Sequence, residues 1–263
     1  GIVSPGIVSS TIGTSGVVFA FMENPARDQK GRVHTFCHAV PQKWHVMGVT
    51  QGAGLSLRWV RDHFGGQEVS LSALLKQDSY ELLTQQAAQA KPGCEGLIFL
   101  PYLMGERTPH LDANARGVLF GLTGRHTRAD VLRAVLEGVA YSLKDSFLIF
   151  EEMKVPVTQV RASGGGGRSA LWRQIQADIF GKEICTVAAD EGAAFGAALV
   201  AAVGAGGFGS VEQACTQSIQ LSNHTRPIAE NVKRYAGYYE VYRSLYGALK
   251  PSFDTVTRLA AAG

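Results

Sequence analysis

The sequence predicts an α/β fold with a mixed sheet and helices on its faces. Three observations carry this. Short β-branched runs alternate with helical runs along most of the chain. One long segment repeats its apolar residues every three or four positions. Glycine-rich turns follow strands at three places, "GTSG" (Gly13 to Gly16), "GAG" (Gly52 to Gly54) and "GGGG" (Gly164 to Gly167), and the last two open helices.

"SSTIGTSGVVFAF" reads as two short strands around a tight turn, with Gly13 and Gly16 bracketing Thr14 and Ser15. "VHTFCHAV" and "WHVMGVT" read as two further strands. "QGAGLSLRWVRDHFG" opens a helix with Leu55, Trp59 and Phe64 near one face, and Gly65-Gly66 ends it. "LSALLKQDS" and "YELLTQQAAQA" read as helices, the second stopped by Pro92-Gly93. "GLIFLPYL" is a short buried strand and "MGERTPHLDANARG" a polar loop.

"TRADVLRAVLEGVAYSLKDSFLIFEEM" is the clearest helix, with Leu132, Leu136, Val139, Leu143, Phe147 and Phe150 in helical period. Thr127 is its expected N-cap, and Asp130 stands three residues later in a box-like position. "TQVRASGGGG" is strand then turn, "RSALWRQIQADIFG" a helix ended by Gly181, and "KEICTVAA" a strand. "EGAAFGAALVAAVG" is a helix of small residues. The tail "RYAGYYEVYRSLYGALK" sets Tyr235, Tyr239, Tyr242 and Tyr246 on one helical face, where packing explains them.

Composition bounds the function. The 263 residues are 46% hydrophobic and 18% charged, enough to bury a core. A net charge of +3 without long basic runs argues against nucleic acid as a partner. Cys37, Cys94, Cys185 and Cys215 form no CxxC pair and read as reduced thiols of a cytoplasmic protein. "GAAFGAALVAAVGAGGFG" is too rich in Gly and Ala to span a bilayer. The first residue is not Met, so a longer parent is expected.

A glycine turn before a helix presents N–H groups and the positive end of a helix dipole, which suit a phosphate or a flat base. The same glycines also serve plain turns. For Gly164–Gly167 the two readings weigh about equally; "GTSG" alone favours a simple hairpin. Ser169 caps the following helix or bonds a ligand. Its place where a third fingerprint glycine would stand counts against a dinucleotide-dependent oxidoreductase. Arg58 lies one turn into the helix after "GAG". Three such turns together suggest loops converging on one polyphosphate. Glu106, Arg107 and His110 are either ion-paired loop charges or the lining of a phosphoryl-transfer cleft. His34, Cys37, His38 and His45 would alternate faces on a strand, so no metal site is expected.

The ordered motifs "IGTSGVVFA", "FLPYLMGERTPH", "ARGVLFGLTGRHTRADVLRAVLEGVAYSL" and "ASGGGGRSALWRQIQADIFG…EGAAFGAAL" resemble the C-terminal half of the FGGY carbohydrate kinases. Gly117 to Glu137 resembles one of that family's signature patterns. "FCHAVPQKWHVMG" and "GERTPH" tilt the match toward members acting on D-xylulose. The resemblance implies a ribonuclease-H-like fold of the actin, Hsp70 and hexokinase type. Residues 1–263 would be the nucleotide-binding domain, and the sugar-binding domain would be absent. It implies ATP with Mg²⁺ as cofactor and a ketopentose as acceptor. Thr14 would meet the terminal phosphates, Gly54 and Arg58 the phosphates and adenosine, and Gly165, Gly166 and Ser169 the adenine and ribose. The family's catalytic Asp precedes the hairpin, whereas here no Asp or Glu occurs before Glu23; this segment alone is expected to be inactive. A homodimer is compatible with the family. Kinases of ribulose, glycerol or fuculose, and a non-catalytic actin-like nucleotide-binding module, are the alternatives.

Overall fold

The structure, a computed structural model, describes residues 1–188 and 192–262. The helix expected from Glu191 therefore begins outside the described residues, as does the end of the strand expected through Ala189.

The chain opens with β1 (Gly6–Ile12) and β2 (Gly16–Met22), followed by β3 (His34–Cys37) and β4 (Trp44–Thr50). Three helices follow: α1 (Gly54–Phe64), α2 (Gly66–Leu75) and α3 (Ser79–Ala87). Strands β5 (Ile98–Leu100) and β6 (Val118–Phe120) form a small separate pair. The long helix α4 (Arg128–Glu152) leads to β7 (Val157–Gly164), a single helical turn α5 (Gly165–Arg168) and α6 (Ala170–Phe180). The chain ends with β8 (Ile184–Val187), α7 (Gly192–Gly204), α8 (Val211–Ser218), β9 (Leu221–Thr225) and α9 (Ala229–Ala261).

Seven strands form one mixed sheet in the order β3-β4-β2-β1-β7-β8-β9. β1, β2 and β4 run antiparallel in turn, while β1, β7 and β8 are parallel. This is the sheet of a mixed α/β domain flanked by helices, as the resemblance implied. Each strand alternates its faces. Val8 and Ile12 of β1, Val18 and Ala20 of β2 and Val46 of β4 join the main core with Leu136, Val139 and Leu143 of α4. Phe21 and Val40 join a smaller cluster with Leu199 of α7 and Val211 and Ala214 of α8.

Helix α4 is buried along most of its length, which its apolar period demands. The Asp130 carboxylate accepts from the Thr127 N–H at 2.8 Å and from its hydroxyl at 2.7 Å, closing the expected box. Trp172 of α6 donates its indole N–H to the Leu136 carbonyl at 3.0 Å, which fixes α6 on α4. Tyr235, Tyr239 and Tyr242 of α9 are buried as predicted.

Several local readings change. Helix α1 buries Ser56, Leu57 and Val60, while Trp59 and Phe64 face outward, so the expected apolar face is rotated. Helix α2 starts at Gly66 and stops at Leu75, because Lys76 turns left-handed (φ 54°) and Asp78 caps α3 through the Tyr80 N–H. Helix α3 ends at Ala87, before Pro92. Strands β6 and β9 and helix α8 carry too little periodicity to have been foreseen.

Buried charge falls into two kinds. Glu68 of α2 is ion-paired with Arg128, which holds its carboxyl down at about 2. Asp145 of α4 instead accepts one bond, from the Tyr239 hydroxyl at 2.5 Å, and burial pushes it up to about 7. A carboxyl raised on folding stabilises the fold below its unfolded value and ceases to as pH climbs through the folded one. Stability is therefore expected to fall as pH rises from the ordinary aspartate range to about 7. Asp145→Asn should flatten that slope and raise Tm above neutrality by several degrees, roughly 2–4 °C per kcal/mol for a domain of this size. Thermal melts across pH check this; parallel profiles for the two proteins would defeat it.

Candidate functional site

Strand β1 ends at Ile12, and the hairpin Gly13-Thr14-Ser15 returns the chain into β2 at Gly16. The Gly13 N–H donates to the Ser15 carbonyl at 3.0 Å and closes this tip. The N-terminus of α1 is seated on it. The Gly54 N–H donates to the Gly13 carbonyl at 2.8 Å, and the Leu55 N–H to the Thr14 carbonyl at 3.0 Å. Two of the four free N–H groups of a helix start are thereby used inside the protein. A Cβ at Gly54 would overlap the Gly13 carbonyl oxygen, so only glycine permits the contact.

The four glycines after β7 have unequal reasons. Gly164 has φ 70°, and a Cβ there would overlap the Ile12 carbonyl oxygen. Gly166 is buried with the Ile12 side chain where its own would lie. Gly167 lies tight against Ala162. Gly165 alone has ordinary room, its nearest neighbour being the Ile12 carbonyl oxygen at 3.8 Å from a built Cβ. Instead of an open loop, the glycines wind into α5. Gln176 of α6 holds this turn from beneath: its amide donates to the Gly166 carbonyl at 3.2 Å, while its oxygen accepts from Ser10 of β1 at 3.0 Å. Ser169 caps α6, its hydroxyl accepting from the Trp172 N–H at 3.3 Å.

Between the hairpin tip and α5 opens a cleft of about 760 Å³. It is lined by Thr14, Gly54, Arg58, Gly165 and Ser169, five of the six residues singled out in the sequence. Gly166 is not among its lining. The opposite wall is α3, with Asp78, Tyr80, Glu81 and Gln85; Arg168 stands beside the glycine turn. Nothing in the sequence pointed to α3, since its distance from the glycine motifs is bridged only by the fold. Arg168 had a signal, standing directly after the glycine run. The Arg61 guanidinium lies 4.6 Å from the Tyr80 ring centre. Partial burial pushes the Tyr80 hydroxyl up against the opposing charge of Arg61. The cleft thus offers arginines and a hydroxyl beside glycine backbone, and a polar helix face across from them. This suits a ligand with an anionic end and a flat polar end.

The residues of "GERTPH" lie elsewhere. None of Glu106, Arg107 and His110 lines the cleft. Glu106 is 4% exposed and wholly engaged in internal hydrogen bonds. Arg107 donates through Nε to His34 Nε2 at 2.8 Å. His110 stacks on Tyr246 with ring centres 3.5 Å apart, and burial pushes it down to about 4. The His38 and His45 rings approach to 6.0 Å, because His38 lies beyond the end of β3 and escapes the strand alternation. Among the described residues no three His, Cys, Asp or Glu side chains are grouped so as to hold a metal, and no helix is long and apolar enough to cross a membrane.

Comparison with known proteins accords with this geometry. Residues 8–205 match the FGGY family of carbohydrate kinases, C-terminal domain. The chain is 39% identical over 246 residues to the xylulose kinase of Bacillus subtilis, covering 94% of this chain and 47% of that protein. It is 36% identical over 256 residues to the gluconokinase of the same organism, covering 97% of this chain and 49% of that protein. The structure superposes on ligand-bound xylulose kinase from Lactobacillus acidophilus with a TM-score of 0.85 at 26% identity, covering 97% of this chain and 50% of that one. The chain spans about half the length of the relatives it matches. With the glycine turns, the mixed sheet and the match over residues 8–205 in agreement, the chain belongs to the FGGY family of carbohydrate kinases and carries its C-terminal domain.

Proposed function

We propose that the cleft binds ATP, with Mg²⁺ as the counter-ion of its phosphates, for phosphoryl transfer to a sugar. The observation that carries this is the gathering of Thr14, Gly54, Arg58, Gly165 and Ser169 around one cleft. In this reading Thr14 meets the terminal phosphates at the hairpin tip, and Arg58 neutralises charge. Gly165 offers bare backbone to the nucleoside, bordered by Ser169 and backed by buried Gly166. The fit is physical: Gly165 presents backbone at the cleft wall with ordinary room beside it, and Arg58 and Arg168 suit an anion. ATP supplies the phosphoryl group; the chain's task is orientation and charge neutralisation.

Residues 1–263 are in this reading the nucleotide half of the kinase. The sugar contacts and the base that takes the hydroxyl proton belong to the rest of the protein. D-xylulose, phosphorylated at its terminal hydroxyl, is the acceptor favoured by the similarity to xylulose kinases at 39% and 40% identity. Gluconate is the second reading, because the gluconokinase similarity is nearly as high and covers slightly more of the chain.

Calorimetric titration with MgATP, with NAD as comparison, tests the cleft. Thr14→Ala should weaken MgATP about fivefold, the scale of one hydrogen bond. Gly165→Val should abolish binding while leaving Tm nearly unchanged. Gly166→Val should instead lower stability by about 1–3 kcal/mol through overpacking against Ile12. MgATP binding unaffected by Gly165→Val would sink the assignment.

For the acceptor, the complete protein is assayed for ADP release with D-xylulose and with gluconate. A kcat/KM higher by tenfold or more for D-xylulose is expected. The reverse order would favour the gluconate reading.

A further inference from the structure

The loop after β5 carries Glu106 into the interior, where four donors meet one carboxylate. Oε1 accepts from the Gln51 N–H at 2.9 Å and the Arg107 N–H at 2.7 Å. Oε2 accepts from the Thr50 hydroxyl at 2.6 Å, and the Ser142 hydroxyl of α4 shares its one proton between Thr50 Oγ1 at 2.7 Å and Oε2 at 3.2 Å. Paired backbone bonds with Asp112, each 2.8 Å, fix the loop around it. No Lys or Arg side chain among the described residues pairs with this carboxylate. A buried carboxylate without a counter-charge is costly, even when well hydrogen-bonded.

The residues it holds lead directly to the cleft. Thr50 ends β4, and Gln51 begins the turn into α1. Gly52 follows, with the Pro101 carbonyl oxygen occupying the space of a side chain. The Ser56 hydroxyl closes the turn onto the Gly52 carbonyl. The N–H groups of Gly54 and Leu55 then hold the carbonyls of Gly13 and Thr14. We propose that Glu106 is a positioning residue for the cleft: its carboxylate fixes the β4–α1 turn and, through that turn, the hairpin tip that carries Thr14. The consequence for nucleotide affinity rests on the function proposed above; the hold on the turn does not.

Glu106 acts in turn on Asp145 of α4, Tyr102 after β5 and Tyr242 of α9, and Arg243 acts on Asp145. Burial pushes Glu106 up to about 7 against the pull of its four donors. Ionised, it accepts charge-assisted bonds, about twice as strong as neutral ones. Protonated, it remains an acceptor for Gln51 and Arg107 but must give its own O–H to Thr50 or Ser142. The hold on the turn therefore tightens as pH rises. The stability of the whole fold moves the other way, because a raised carboxyl disfavours folding as it ionises. A merely structural Glu106 would move stability alone.

The test uses the 263-residue chain, Glu106→Gln and Glu106→Ala, between about pH 6 and about pH 8.5, a span that brackets the titration. NMR follows the amides of Gln51, Arg107, Gly54 and Leu55, and calorimetry follows MgATP. The Gln51 and Arg107 amides should titrate together near neutrality in the parent and stay flat in Glu106→Gln. MgATP affinity of the parent should improve about threefold with pH relative to Glu106→Gln, which resembles the protonated acid. Glu106→Ala should bind about tenfold more weakly at the alkaline end. Parallel pH profiles for the parent and Glu106→Gln would overturn the proposal, as would full affinity in folded Glu106→Ala. If Glu106→Ala does not fold, the Glu106→Gln comparison decides. If nothing binds MgATP, the assigned function fails; the amides then decide alone, coupled titration upholding the positioning role and flat amides overturning it.

Discussion

The close approach of backbone to backbone at the end of β1 is the constraint on which the site depends. β1 pairs antiparallel with β2 on one side and parallel with β7 on the other, so Ile12 stands opposite both Gly16 and Gly164. Two turns, into α1 and into α5, must therefore reach the same few atoms. Gly54 lets the first touch the Gly13 carbonyl, and Gly164 and Gly166 let the second fold over Ile12. The cleft is the space left between these two docked helix starts. Its floor is set by strand register, and register on a sheet buried on one face tolerates no slip.

The helices around the cleft are anchored by polar contacts rather than by apolar ones alone. Helix α2 buries its Glu68 and exposes Leu74 and Leu75, an inversion that the Arg128 guanidinium sustains by reaching Glu68, Gln86 and the Phe64 carbonyl at once. One residue at the start of α4 thus ties α1, α2 and α3 together. Arg133 does comparable work one turn later, with Glu137, Tyr235 and the Ala90 carbonyl. Breaking the Arg133–Glu137 pair, buried on both sides, costs about 3–5 kcal/mol, because the partner is left charged and alone. Among the described residues neither Glu106 nor Asp145 is ion-paired, and their cost appears as a raised pKa.

What the sequence revealed was local. The Thr127 and Asp130 box and the period of α4 are visible because three-residue and four-residue spacings carry their own physics. The tyrosine face of α9 was legible for the same reason. The glycine motifs led to the cleft, but of the four glycines after β7 the protein's own packing accounts for three, and only Gly165 has ordinary room for a side chain. Wall helix α3 was not tied to the site because its place depends on contacts distant in sequence. Glu106 looked like a loop charge because "GERTPH" is polar; that a fold would carry it inward to four donors is tertiary information. Trp59 and Phe64 misled in the opposite sense, being large apolar residues on the outward face of α1.

The glycines at the end of β1 have a consequence for descent. Gly54, Gly164 and Gly166 are fixed by carbonyl oxygens and a side chain of the protein itself, whatever occupies the cleft. A lineage that abandoned its ligand would still be obliged to inherit them, because the sheet could not close otherwise. Gly165 is under no such obligation, and it is the position free to drift once the ligand is gone. The loss of a task would be written in one glycine of four, while the motif around it persisted.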